Sequence, residues 1–460
     1  MSFVVEVSRI WQKLAVDVVL GQTVDEVVKL LQNNVTILLV RFGLHTKSEL
    51  QTLLDSVNQA IDVYCNSYTI PLWKPTVRLA CELSGQSLRL KFDRRQGPIQ
   101  ITPGQRLYLA SDKIYEDKRV ENVIYVTNLD NVLAYLKRGD KFRIGCNEII
   151  VCKIKGKFAV CRAKGDCNSS IVFQLHPYER LILTGLDYEW NTIQNDIEEC
   201  HYAVSNNCGI ILIPELNSHL TYHAIRNALL SYQIENQILQ IFASIDHHVA
   251  NTRSISLIRH LDGVITNDKT IIDICRIYCK VVLFEFPKTN QIPDDEWFHK
   301  VDVFIAPSDS VDEVKAALLE LNRNISAERD NDNLFANHNR IFNQCIEYSS
   351  NSCGAHAIVL CTSGSAQIAE ELSTRKLPCP MLVASNDENV LQRVSTRKYC
   401  IPVRTPDGIS KRLTIKYATV YGKQFGYIES GSFVVTGLGE ENLSEIDFSY
   451  VPDDFILSLK

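Results

Sequence analysis

His356-Ala-Ile-Val-Leu-Cys361 runs through a polar loop, Thr362-Ser-Gly-Ser365, into a segment of helical period, and the chain then reaches a second apolar run, Pro380-Met-Leu-Val-Ala384. From His356 to Val403 this reads as strand, loop, helix and strand, the repeating unit of a parallel α/β sheet. A Ser/Thr/Gly loop at a helix N-terminus offers N–H groups and hydroxyls to an anion, which is how phosphates are commonly held. The same residues also serve as plain helix caps.

Upstream, apolar strands alternate with helical patterns. The strands are Val16 to Leu20, Val35 to Phe42, Val77 to Leu83, Gly209 to Ile213, Ile238 to Ser244, Gly263 to Thr266, Val281 to Phe286 and Val301 to Ile305. Segments of helical period follow several of them: Asp25 to Leu31, Ser48 to Tyr64, Leu220 to Tyr232 and Val311 to Leu321. The economical architecture is an α/β fold built on a (β/α)8 TIM barrel. Between the third and fourth strands lie short strand-like runs separated by Gly, Asn and Asp, which predict a small inserted β-barrel cap. A polar stretch from Ser326 to Asn339 marks a boundary, and the remainder of the chain reads as a C-terminal α/β domain, with late strands at Tyr417 to Val420 and Ser432 to Thr436. The predicted divisions are 1–83 and 183–325 for the barrel, 84–182 for the cap and 326–460 for the C-terminal domain.

The chain has 460 residues, enough for several cores, and 45% of them are hydrophobic, which implies ordinary globular burial. No membrane-length apolar run is present and Glu6 interrupts the N-terminal stretch, so a cytoplasmic protein without a membrane contact is expected. The net charge of −6, without basic runs, argues against nucleic acid as a partner. Fifteen scattered cysteines fit reduced thiols better than disulfides.

A barrel, a β cap after its third strand and a C-terminal α/β domain together resemble the pyruvate kinase family. Local sequence carries the resemblance across nearly the whole chain. Val35-Thr-Ile-Leu-Leu-Val-Arg-Phe42 is similar to the family's N-V-A-R-L-N-F, Gly139-Asp-Lys-Phe-Arg-Ile-Gly-Cys-Asn-Glu148 to its G-S-K-I-Y-V-D-D-G, and Ser244-Ile-Asp-His-His248 to its K-I-E-N-H. Ala357-Ile-Val-Leu-Cys-Thr-Ser-Gly-Ser365 and Pro378-Cys-Pro-Met-Leu-Val-Ala384 resemble A-x-I-V-L-T-x-S-G-R-S and P-x-P-I-x-A-V.

The resemblance implies phosphoryl transfer from phosphoenolpyruvate to ADP, a glycolytic reaction that uses magnesium and potassium. Such transfer depends on cations beside the migrating phosphate and carboxylates on the metal. The family's phosphate-neighbouring lysine falls on Ser244, its first metal carboxylate on Asp246 and its second near Thr270, with Asp268 as a substitute only if the backbone shifts. Its arginine falls on Leu39, and its potassium-holding asparagine and serine on Arg41 and Gly43. D-T-K-G-P-E-I-R becomes Glu82-Leu-Ser-Gly-Gln-Ser-Leu-Arg89, leaving Glu82, Gly85 and Arg89 as remnants. C-A-T-Q-M-L becomes Phe284-Glu-Phe286-Pro-Lys, and S-G-E-T becomes Pro307-Ser-Asp-Ser310. In the effector loop that the resemblance implies, Ser363 and Gly364 match beside the remnant Thr362, while the arginine becomes Ser365 and the next residue Ala366, so phosphate affinity should be poor.

Lysine, arginine and a metal ligand are lost together, and one transition-state donor alone is typically worth about 100- to 1,000-fold in rate. A pseudoenzyme is therefore expected, with magnesium and potassium binding weak or lost. It would act as a scaffold, as a homo-oligomer or in a hetero-oligomer with an active pyruvate kinase. The alternative is a divergent working enzyme or a metabolite sensor using Asp246, Arg41, Glu82 and Arg89. Asp246, His247 and His248, the pair His219 and His223, and Cys146, Cys152, Cys161 and Cys167 are each candidate metal ligands by residue type, and solvated histidines and free thiols are the preferred reading. Packing accounts for Cys275 and Cys279.

Overall fold

The computed structural model describes residues 12–68, 70, 73–84, 88–92, 99–116, 120–127, 129–144, 147–164, 173–175, 180–184, 193–214, 219–234, 239–245, 256–286, 300–308, 310–324, 340–362, 364–375, 377–440 and 443–451. Eight strands close into a barrel in which every pairing is parallel. In chain order they are Lys13–Asp17, Val35–Arg41, Arg78–Glu82, Ile210–Ile213, Gln240–Ser244, Gly263–Ile265, Val281–Glu285 and Val303–Pro307.

The two-residue side-chain period divides each strand between two cores. Ala15, Ile37, Leu39, Ala80, Ile210, Leu212, Phe242, Ile265, Val281, Leu283, Val303 and Ile305 pack inside the barrel. Alternate residues such as Val16, Leu38, Val40, Cys81 and Ile211 pack outward, in one core with the helices. Gly263 makes room for Phe242: a Cβ there would meet the Phe242 ring at 2.9 Å and Val281 Cβ at 3.0 Å. The outer helices are defined by their caps and apolar stripes. Helix Lys47–Asn66 begins with a reciprocal Thr46/Glu49 capping box and buries Leu50, Leu53, Leu54, Val57 and Ala60.

Between the third and fourth barrel strands the chain forms a second closed barrel, of seven strands. Its core includes Leu90, Leu107, Leu109, Phe142, Ile149 and Val151. After the eighth barrel strand comes a five-stranded sheet in the order Cys400–Arg404, Met381–Ser385, Ala357–Thr362, Phe433–Glu440 and Leu443–Tyr450, parallel except for the last pairing. Both faces of this sheet are packed, one with Ile358, Leu360 and Met381, the other with Val359, Leu382 and Tyr417.

Two readings of the sequence need correction. The first barrel strand is Lys13–Asp17 rather than Val16 to Leu20, because the strand ends where Asp17 reaches the mouth. Tyr417 to Val420, read as a strand, lies inside helix Lys411–Gln424. Aromatic and β-branched residues gave that short run its strand character, and the Ser410 cap together with burial of Tyr417, Ala418 and Tyr421 on one face decides for the helix.

The sheet unit sits against the N-terminal mouth of the barrel. Lys13 Nζ donates to Cys400 O at 2.5 Å, Gln240 Nε2 to Thr396 Oγ1 at 3.5 Å, and Arg397 Nη2 to Cys279 O at 2.6 Å. Trp73 stacks edge-on against Tyr421 and Phe425 beside this junction. Among the described residues no helix is long and apolar enough to cross a membrane.

Candidate functional site

The C-terminal mouth of a (β/α)8 barrel is where strand ends bring polar side chains together. Here the inward-facing series end in charge: Ala15 is followed two residues on by Asp17, Ile37 and Leu39 by Arg41, Ala80 by Glu82, and Val281 and Leu283 by Glu285. Arg41 is the hub. Its Nε donates to Asp17 Oδ2 at 3.1 Å, Nη1 to Glu82 Oε2 at 2.5 Å and Nη2 to Glu285 Oε1 at 2.6 Å. Glu82 accepts a second cation on Oε1, from Arg89 Nη2, which the inserted barrel supplies through its strand Leu88–Lys91.

Asp17, Arg41, Glu82 and Arg89 are withdrawn from solvent, whereas the Glu285 side chain is 49% exposed. Burial by itself would lower the Arg41 pKa, but the charges of Glu285 and Asp17 outweigh it and hold the guanidinium above its ordinary value. Asp17 Oδ1 remains buried without a hydrogen-bond partner. Within the inserted unit Lys91 pairs with Glu116 at 2.7 Å, and Lys91 also donates across the junction to Leu44 O at 2.8 Å. Burial and the neighbouring Lys91 lower the His45 pKa from its ordinary value, outweighing the charges of Glu49, Asp17 and Glu116. Glu199, from helix Ile193–Ser205, accepts the Ser84 N–H at 2.7 Å, and burial raises its carboxyl pKa.

The structure brings Arg41, Glu82 and Arg89 together, and it adds Asp17 and Glu285, which the sequence reading missed. Leu39 lies in the barrel interior, 1% exposed. Gly43 sits in the turn Phe42–Leu44, where a Cβ would lie 3.3 Å from Ser84 Cα. Ser244 ends the fifth strand, half-buried. Phe286 packs on Phe284 and Phe304 in the outer core. Thr270 is exposed in the first turn of helix Lys269–Ile277, and Asp268 caps that helix by accepting the Thr270 and Ile271 N–H groups at 2.7 and 3.1 Å. Asp246, His247, His248, Gly85, Ser363, Cys146 and Cys167 lie outside the described residues.

Glu82 is bonded on both oxygens by guanidinium groups, Thr270 offers no carboxylate, and Asp268 is engaged in its cap. Among the described residues no group of three or more His, Cys, Asp or Glu side chains is placed to hold a metal ion. His223 is exposed, Cys152 is exposed and Cys161 buried, and the twelve cysteines whose side chains are described are all free. Cys275 is buried in the outer core, and Cys279 is half-buried.

The described residues of the polar loop after strand Ala357–Thr362 bond to one another. Thr362 Oγ1 donates to Ser365 O at 2.5 Å, and Ser365 Oγ accepts the Gln367 N–H at 3.3 Å. Gly364 takes the left-handed φ of 83° that closes the turn.

No family model matches this sequence, and no curated protein matches it.

Proposed function

We propose that this chain is a catalytically silent protein of pyruvate kinase-like organisation that works through assembly, as a scaffold or regulatory partner. The observation that carries the reading is Arg41 locked among Asp17, Glu82 and Glu285 at the barrel mouth. A phosphoryl-transfer site needs cations free to face the migrating phosphate and carboxylates free to hold metal. Here both guanidinium groups are engaged by carboxylates, Arg41 by Asp17, Glu82 and Glu285, and Arg89 by Glu82. Leu39 and Ser244, where the resemblance places an arginine and a lysine, add no charge. The order of units, barrel, inserted β barrel and C-terminal sheet, supports the likeness in organisation. Free thiols favour a reducing compartment, and we place the protein in the cytoplasm on that basis.

The test is a coupled assay of the purified full chain with phosphoenolpyruvate, ADP, Mg²⁺ and K⁺. No turnover above the enzyme-free rate is expected, and turnover in the ordinary range of ~1–1,000 s⁻¹ overturns the reading. For the assembly role, light scattering should show a species of at least twice the 52.2 kDa chain mass, alone or with an active pyruvate kinase. A strict monomer under both conditions removes it.

A further inference from the structure

At the opposite end of the barrel a cavity of about 250 Å³ lies between the segment leading into the third strand, the turn before the fourth, and the C-terminal sheet unit. Three cations line it, Lys74, Arg78 and Arg404, against one lining carboxylate, Glu388. Arg78 is 3% exposed and has no carboxylate partner: Nη2 donates to Gly209 O at 2.8 Å and Nη1 to Gln392 Oε1 at 3.1 Å. These bonds occupy two of its five N–H groups. Burial lowers the Arg78 pKa to about 10, outweighing the charges of Glu388 and Asp262, neither of which bonds to the guanidinium.

The position is built for that guanidinium. It lies across Gly209, where a Cβ would come within 2.8 Å of Nη2. Lys74 Nζ likewise donates to a neutral oxygen, Asn66 Oδ1, at 2.9 Å. Only Arg404 has an anionic partner, Glu388, which in turn accepts from Gln392 Nε2 at 3.4 Å. Three positive charges and one negative charge line the cavity, an excess of two among its lining side chains, and Asp262 bears on Arg78 from outside the lining.

We propose that this cleft binds a small phosphoryl dianion, either inorganic phosphate or a compact phosphate monoester, between Lys74, Arg78 and Arg404. The charge excess matches a dianion, guanidinium and ammonium groups are the usual phosphate donors, and the volume is below the ~300–1,000 Å³ of pockets for drug-sized ligands. The site is separate from the Arg41 cluster and does not depend on the functional reading of the barrel mouth.

Isothermal titration of the full chain with inorganic phosphate, and separately with glycerol 3-phosphate, at ionic strength fixed with sodium chloride, tests it. One saturable site is expected for at least one of the two, and which one binds identifies the free ion or the ester as the source. Lys74→Gln and Arg404→Gln, at partly exposed positions, should each weaken binding by roughly tenfold, the worth of a charge-assisted hydrogen bond. Arg78→Gln should abolish it. Saturable heat from neither anion, or unchanged affinity in both Lys74→Gln and Arg404→Gln, overturns the proposal.

Discussion

At the C-terminal mouth of the barrel Arg41 is surrounded by Asp17, Glu82 and Glu285, whereas at the N-terminal mouth Arg78 and Lys13 give their protons to carbonyl and amide oxygens. The ionisation equilibria follow the partners. Arg41 is held above its ordinary value, while burial lowers Arg78 to about 10 and Lys13 to about 8. One fold thus carries buried cations at both ends, engaged by carboxylates at one and by neutral oxygens at the other. The mouth where a barrel enzyme is expected to work has used its charge on itself, and the unsatisfied positive charge lies at the end that the sheet unit covers.

The comparison breaks or sharpens at five substitutions. Arg41→Met leaves the buried Asp17 without a cation and Glu82 with Arg89 alone, and should cost about 3–5 kcal/mol in chemical denaturation. Arg78→Met strands only neutral acceptors and should cost under about 2 kcal/mol. Equal losses would erase the distinction between the two mouths. Gly209→Ala forces the Arg78 guanidinium to move and should cost about 1–3 kcal/mol, the range for overpacking a tight site. An unaffected denaturation midpoint would mean that Arg78 is not held there.

Lys13 gives a pH signature. Its folded pKa of about 8 lies below the ~10.4 of an unfolded lysine, so between those values the unfolded state binds the extra proton and stability rises with pH. The slope is at most about 1.4 kcal/mol per pH unit, and Lys13→Met should remove it. An identical slope in that variant would assign the effect elsewhere. Smallest of all, Glu285→Gln should cost no more than about 1 kcal/mol, because the Glu285 side chain is half exposed. A larger loss would place Glu285 deeper in the network than its exposure implies.

Much of the barrel is legible in the chain because parallel strands buried on both faces read as continuous apolar runs, as in Val35–Arg41 and Val281–Glu285. Strand edges are less legible where charge enters the pattern. Asp17 looks like an interruption and is in fact the inward-facing end of its strand. The sequence nominates Arg41, Glu82 and Arg89, but Asp17 and Glu285 are distant in the chain and meet Arg41 only when the barrel closes. A signal for them does exist: an apolar residue on the inward period of two, followed two positions later by a charge, in Ala15 to Asp17 and Leu283 to Glu285. The Arg78 cavity had no such signal. An arginine within Val77-Arg-Leu-Ala-Cys-Glu82 reads as an ordinary strand residue, and its lack of a carboxylate partner depends on Gly209 and Gln392, which only the fold brings near.

The central claim is that the charges at the C-terminal mouth are already paired with one another. Titration of phosphoenolpyruvate with Mn²⁺ into the full chain tests it most directly. The account predicts no saturable heat that depends on the mouth residues. Saturable binding at or below ~1 mM, the upper end of ordinary enzyme substrate constants, that disappears in Glu82→Gln would contradict it.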